Sequence, residues 1–215
     1  MKKFSLLAII ASLVFGLTIL VPTTEANAMP FTDVKQKDLI EAVTALYNDG
    51  VVFGVTKTSY KPNRAATRAE TAQMIVNALN WQDEDATNPG FTDVSGKYAK
   101  AIYILANKGV VNVNKKFNPN SSIKRSQVAK MLTLAFNLEQ SSKKKTPFKD
   151  VKKTEEITFV NTLLDYKITQ GTTKNTFSPY KAVTRGQLAL FLYRGINAIE
   201  GSAEDDSDFE IIGIE

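Results

Sequence analysis

The chain has 215 residues, 43% apolar and 23% charged, the balance of a globular protein and not of a disordered or wholly membrane-embedded one. It contains no histidine and no cysteine, which excludes disulfide frameworks, thiolate nucleophiles, Ser-His-Asp triads and nearly every zinc or copper site. The net charge of +5 is unevenly placed: residues 201–215 hold six acids and no Lys or Arg, so residues 29–200 carry +10, which suits an anionic surface or polymer.

In chain order, residues 1–28 read as an export signal. Lys2 and Lys3 precede an apolar run from Phe4 to Val21, and Ala26-Asn27-Ala28 has the small-residue pattern of a cleavage site, so cleavage after Ala28 is expected. A retained amino-terminal membrane anchor is the alternative. Either way the remainder works outside the cytoplasm, and no nucleic-acid partner is expected despite the basic body.

The body repeats three times. Phe31-Thr32-Asp33-Val34 recurs as Phe91-Thr92-Asp93-Val94 and Phe148-Lys149-Asp150-Val151. Tyr60-Lys61-Pro62 recurs as Phe117-Asn118-Pro119 and Phe177-Ser178-Pro179, and in each copy an arginine stands six positions after the proline: Arg68, Arg125, Arg185. The implied units are 29–88, 89–146 and 147–200, followed by an acidic tail, 201–215, expected to be disordered.

Each unit reads as helix, loop, helix. The first helices carry the stripes Ala42, Val43, Leu46, Tyr47; Ala101, Ile102, Leu105, Ala106; and Phe159, Val160, Leu163, Leu164. The second carry Thr71, Met74, Ile75, Ala78, Leu79; Val128, Met131, Leu132, Ala135, Phe136; and Leu188, Phe191, Leu192, Gly195, Ile196. Narrow stripes on short helices cannot each be buried alone, so the units are expected to share one apolar centre. Gly50 and Gly109 read as helix C-terminal signals, and the six Phe/Tyr landmarks read as core plugs.

The start of the second helix is the informative spot. Thr67-Arg68-Ala69-Glu70 and Thr184-Arg185-Gly186-Gln187 satisfy the capping box, whereas Lys124-Arg125-Ser126-Gln127 has lost its cap hydroxyl. An arginine at the first helical position opposes the helix dipole, which favours acids there by roughly 0.3–1 kcal/mol. Two explanations stand at this level. Guanidinium and free backbone N–H groups together make an anion site, or each arginine pairs with Asp33, Asp93 or Asp150 and ties units together. The aspartates themselves read as caps or Asx-turns of the helices that follow them.

These motifs together resemble the S-layer homology (SLH) module in three tandem copies over about residues 31–199. The resemblance implies a mainly α fold in which three helix-loop-helix repeats pack as a pseudo-threefold spindle around a shared helical core. It further implies non-catalytic attachment to the bacterial cell envelope, by binding an anionic, pyruvylated secondary cell-wall polysaccharide in grooves between repeats. The site residues that follow are Arg68, Arg125 and Arg185 with Glu70, Gln127 and Gln187, together with Gly50, Gly109, Asp33, Asp93 and Asp150. The family's early tryptophan is absent, with Leu39, Tyr98 and Glu156 in its place. No cofactor and no metal are expected, and no membrane contact after signal cleavage. Two other functions compete: a surface scaffold recruiting another exported protein through its grooves or acidic tail, and a small wall-active hydrolase using paired carboxylates. No unit-specific acid pair stands out against the repeat for the latter.

Overall fold

The computed structural model describes residues 29–207. The export signal and the segment from 208 onwards lie outside the described residues. Six helices account for the regular structure: α1 Lys37–Asn48, α2 Arg68–Ala78, α3 Ala99–Asn107, α4 Arg125–Ala135, α5 Thr154–Asp165 and α6 Arg185–Ser207. A 3₁₀ turn, Gly96–Tyr98, leads into α3. Among the described residues there is no extended strand, and the fold is mainly α as the repeat implied. No described helix is long and apolar enough to cross a membrane.

The stripes read from the sequence face the core. Ala42, Val43, Leu46, Ala101, Ile102, Leu105, Phe159, Val160 and Leu163 are all buried, as are Met74, Ile75, Val128, Leu132, Leu188 and Leu192 on the second helices. Each unit also closes on an aromatic pair: Phe31 with Tyr60, Phe91 with Phe117 and Phe148 with Phe177, their ring centroids 5.5, 5.7 and 5.8 Å apart. These are edge and tilted contacts of the kind that add to simple burial.

The helices of one unit do not pack chiefly on each other. Instead the second helix of each unit pairs with the first helix of the next: α2 on α3, α4 on α5, and α6 back on α1. The three second helices also meet one another. A ring of backbone hydrogen bonds closes the same cycle just before the second helices. Ala66 N–H donates to Val183 O (2.9 Å), Val183 N–H to Ile123 O (2.9 Å) and Ile123 N–H to Ala66 O (3.0 Å). All three residues are fully buried, so each polar group taken from water regains a partner in the next unit.

The linkers are tied down. Asn161, buried on α5, donates from Nδ2 to the carbonyls of Lys143 (3.2 Å) and Lys145 (3.0 Å), and Thr162 Oγ1 accepts the Ser141 N–H at 3.0 Å. Helix α6 continues to Ser207, into the acidic segment that begins at Gly201.

Candidate functional site: three grooves between units

The arginines that open α2, α4 and α6 all point into the following unit. Arg68 Nε donates to Phe117 O at 2.8 Å, Arg125 Nε to Phe177 O at 2.7 Å, and Arg185 Nε to Tyr60 O at 2.8 Å. Each guanidinium lies over the ring of the residue whose carbonyl it binds, 4.4, 4.7 and 4.4 Å from the centroid. Arg125 is also 5.0 Å from the Phe191 ring. Their backbones join in: Arg68 N–H donates to Ser121 O, Arg125 N–H to Lys181 O and Arg185 N–H to Arg64 O. Orphan amides at three helix starts are thus satisfied across the unit boundary. The unfavourable dipole position is accepted because the side chain leaves the helix axis and stacks sideways on the neighbouring unit.

The aspartates do not pair with these arginines, nor do they cap the helices after them. The residues at the α1 and α5 N-caps are Gln36 and Lys153, neither with a side-chain cap bond. Asp33 instead accepts from the Tyr60 and Lys61 N–H groups (both 2.8 Å) and the Ser59 hydroxyl (2.7 Å). Asp93 accepts from the Phe117 and Asn118 N–H groups (both 2.8 Å), and Asp150 from those of Phe177 (2.9 Å) and Ser178 (2.7 Å). In each unit the carboxylate clamps the turn holding the aromatic plug and its left-handed successor, Lys61 (φ 53°), Asn118 (58°) or Ser178 (59°). Burial pushes the Asp33 carboxyl up, but these donors outweigh it and hold it below its ordinary value.

Three grooves follow from the cycle, each built from the arginine of one unit and the loop and second helix of the next. Groove 1, about 410 Å³, has Arg185 against Phe53, Gly54, Glu70 and Met74, with Lys97 and Tyr98 adding a wall from unit two. Groove 2, about 190 Å³, has Arg68 against Val111, Asn112, Phe117, Gln127 and Lys130. Groove 3, about 440 Å³, has Arg125 against Thr169, Gly171, Lys181, Gln187 and Arg194. The structure therefore brings the three arginines together with Glu70, Gln127 and Gln187, but each arginine meets the acid or amide of the following unit. Gly50 and Gly109 line none of these grooves. They take left-handed backbone (φ 69° and 71°) at the ends of α1 and α3, the turn that Lys167 makes in unit three at φ 57°. Phe53, 59% exposed at the mouth of groove 1, was not singled out by the sequence pattern, because Asn112 and Gln170 stand in its place in the other units.

The grooves differ in how their arginines are engaged. Arg185 is buried and fully spoken for: Nη1 lies 3.3 Å from Glu70 Oε1 and Nη2 donates to Phe53 O at 2.6 Å. Glu70 also receives Arg64, and its second oxygen accepts the Thr67 N–H at 2.9 Å as half of the capping box. Burial pushes the Glu70 carboxyl up; the Arg64 and Thr67 hydrogen bonds and the two positive charges hold it below its usual value nonetheless. Among the described residues the side chains of Arg68 and Arg125 hydrogen-bond through Nε only, and neither forms a salt bridge. Burial lowers both guanidinium pKa values, that of Arg125 to about 10, with Asp93 and Asp150 as the respective opposing charges. Across the described body, the capping box is complete at α2 and α6. At α4 only the return half forms, Lys124 N–H to Gln127 Oε1 at 3.0 Å, since lysine cannot accept the amide.

Comparison with known proteins bears on this arrangement directly. The S-layer homology domain matches three times, at residues 30–72, 90–129 and 147–189. The chain belongs to the S-layer homology family. Each match runs from the Phe-x-Asp-Val turn into the second helix, and so takes in the aspartate clamp, the arginine and the capping residue of one unit. Similar proteins include an S-layer protein of Bacillus thuringiensis subsp. finitimus, 30% identical over 71% of this chain and 19% of its own length. Exoglucanase XynX of Acetivibrio thermocellus is 31% identical over 78% of this chain, and an amylopullulanase of Thermoanaerobacterium thermosulfurigenes 32% identical over 76%. This SLH chain spans only 16% and 9% of the length of those two enzymes.

Proposed function

We propose that this chain is a non-catalytic cell-surface anchoring module that holds an anionic cell-wall polysaccharide, with carboxylates such as those of pyruvate ketals, in the grooves between its units. The observation that carries the proposal is that every groove is headed by a guanidinium from one unit and walled by the loop and second helix of the next. A planar fork with fixed orientation matches a carboxylate in bidentate fashion. Stacking on Tyr60, Phe117 or Phe177 fixes that orientation before the ligand arrives, which lowers the ordering cost of binding. Likeness to S-layer proteins and to polysaccharide-degrading enzymes alike, each over less than a fifth of the relative, fits a shared attachment segment and not a shared reaction. The excess of Lys and Arg over residues 29–200 favours capture of a polyanion and makes it sensitive to salt.

The test is a calorimetric titration of the protein with purified wall polysaccharide, before and after chemical removal of its acidic groups. Binding to the acidic polymer only is expected. Arg68→Ala should weaken it by about tenfold to a hundredfold, the worth of a charge-assisted hydrogen bond of about 1.5–3 kcal/mol. Equal binding to the neutral polymer, or to walls stripped of polysaccharide, refutes the proposal.

A further inference from the structure

The three grooves share a plan but not a charge pattern, and the difference sits at one residue. Position 70 is glutamate where the other units have Gln127 and Gln187. Groove 1 is accordingly the one of the three whose lining includes a carboxylate. That carboxylate is already on the guanidinium: Glu70 Oε1 is 3.3 Å from Arg185 Nη1, the distance and chemistry of the contact an acidic ligand would make. The other Arg185 nitrogens are bonded to the carbonyls of Tyr60 and Phe53. In groove 2, Arg68 is half-buried with its terminal nitrogens making no hydrogen bond among the described residues. In groove 3 Arg125 is buried, but its terminal nitrogens likewise make no hydrogen bond among the described residues, and Lys181 and Arg194 stand alongside.

We infer that Glu70 is a resident carboxylate that fills the anion seat of groove 1, so that a single chain takes up acidic sugar at grooves 2 and 3 and not at groove 1. This rests on the anion-binding reading above and adds to it which grooves work and what silences the third. To enter groove 1 an acid must displace Glu70, which is held by Arg64, Arg185 and the Thr67 N–H together, and must leave two carboxylates beside one buried guanidinium. The competing route is Arg64, whose terminal nitrogen already serves Glu70 but whose Nε is buried with no hydrogen-bond partner among the described residues. The same comparison suggests a release. Glutamine at position 70 keeps the bond to the N-cap amide, as Gln127 and Gln187 do at 3.0 and 3.2 Å, while removing the charge.

The experiment is a titration of nitrogen-15-labelled protein with a small monovalent probe, a pyruvate-ketal monosaccharide glycoside, following the arginine Nε–H signals together with calorimetric stoichiometry. In the unmutated protein two sites per chain are expected, with the Arg68 and Arg125 signals moving and those of Arg185 and Arg64 still. Glu70→Gln is expected to raise the stoichiometry to three and to bring Arg185 into the responding set. Movement of Arg185 or Arg64 in the unmutated protein at the same probe concentration as Arg68, with three sites, overturns the inference while leaving the anion-binding reading intact. A probe that moves none of the four signals removes that reading, and this inference with it. Because the unmutated protein alone decides between two sites and three, the outcome does not depend on the variant folding.

Discussion

Replacing Arg125 by alanine separates the structural work of these arginines from any ligand. The side chain is 4% exposed, donates from Nε to Phe177 O at 2.7 Å, and lies 4.7 and 5.0 Å from the Phe177 and Phe191 ring centroids. A hydrogen bond from a charged donor is worth about 1.5–3 kcal/mol, and each ring contact adds about 0.5–1 kcal/mol. Against this stands the cost of keeping a charge under cover, visible in the guanidinium pKa drawn down to about 10. The balance is a loss of about 2–3 kcal/mol, which in a protein of this size lowers Tm by about 4–12 °C. Thermal unfolding followed by circular dichroism, in the absence of polysaccharide, measures it. Arg68→Ala, with a single ring contact and a half-buried side chain, should lose less. A drop below about 1 °C for Arg125→Ala, or a larger drop for Arg68→Ala, refutes the view that these residues staple one unit to the next.

Three further outcomes are expected. Glu70 and Asp33 have folded pKa values below their ordinary 4.5 and 3.8, so the unfolded chain binds more protons and stability declines as pH falls through this range; melting points should be flat from neutrality to about pH 5 and then fall, less steeply in Glu70→Gln. Lys124→Thr supplies the missing acceptor at the α4 N-cap, where Gln127 already returns its half of the box, and should raise stability by about 0.5–1 kcal/mol, read as a Tm gain of a few degrees. Gly171→Ala places a methyl 2.4 Å from the Phe148 ring at a backbone φ of +85°, and should cost about 2 kcal/mol or more in chemical denaturation, with the loop, not the helices, losing amide protection first.

Much of the fold was legible because it is local. The helix stripes at Ala42 to Leu46, Ala101 to Leu105 and Phe159 to Leu163 bury as their spacing required, and both Thr-x-x-Glu/Gln boxes form with two bonds apiece. What the repeat hid is which unit each side chain serves. Arg185 meets Tyr60 across 125 positions, and nothing in either motif encodes that partner. The arginine and the acid of a single Thr-Arg-Ala-Glu motif face different grooves, so reading the motif as one site joined residues that the fold separates. The aspartates were misread for the same reason: Asp33 stands four positions before α1, close enough to look like a cap, while its partners lie at Ser59 to Lys61. The 3₁₀ turn at Gly96–Tyr98, which brings Lys97 and Tyr98 to groove 1, likewise has no counterpart assigned before α1 or α5.

The pairing of α6 with α1 has a consequence for how the chain comes to be folded at all. Tyr193 Oη reaches Glu41 Oε1 at 2.9 Å across 152 positions, so the ring has no finished seam at its start until its end has been made. A growing chain holding two units has two raw apolar edges and no third helix pair to cover them, and loop closure over that length is slow to be rewarded. Excising one unit as a minimal fragment therefore removes two walls at once. The assembly has to be treated as indivisible, even though its sequence is written as three interchangeable paragraphs.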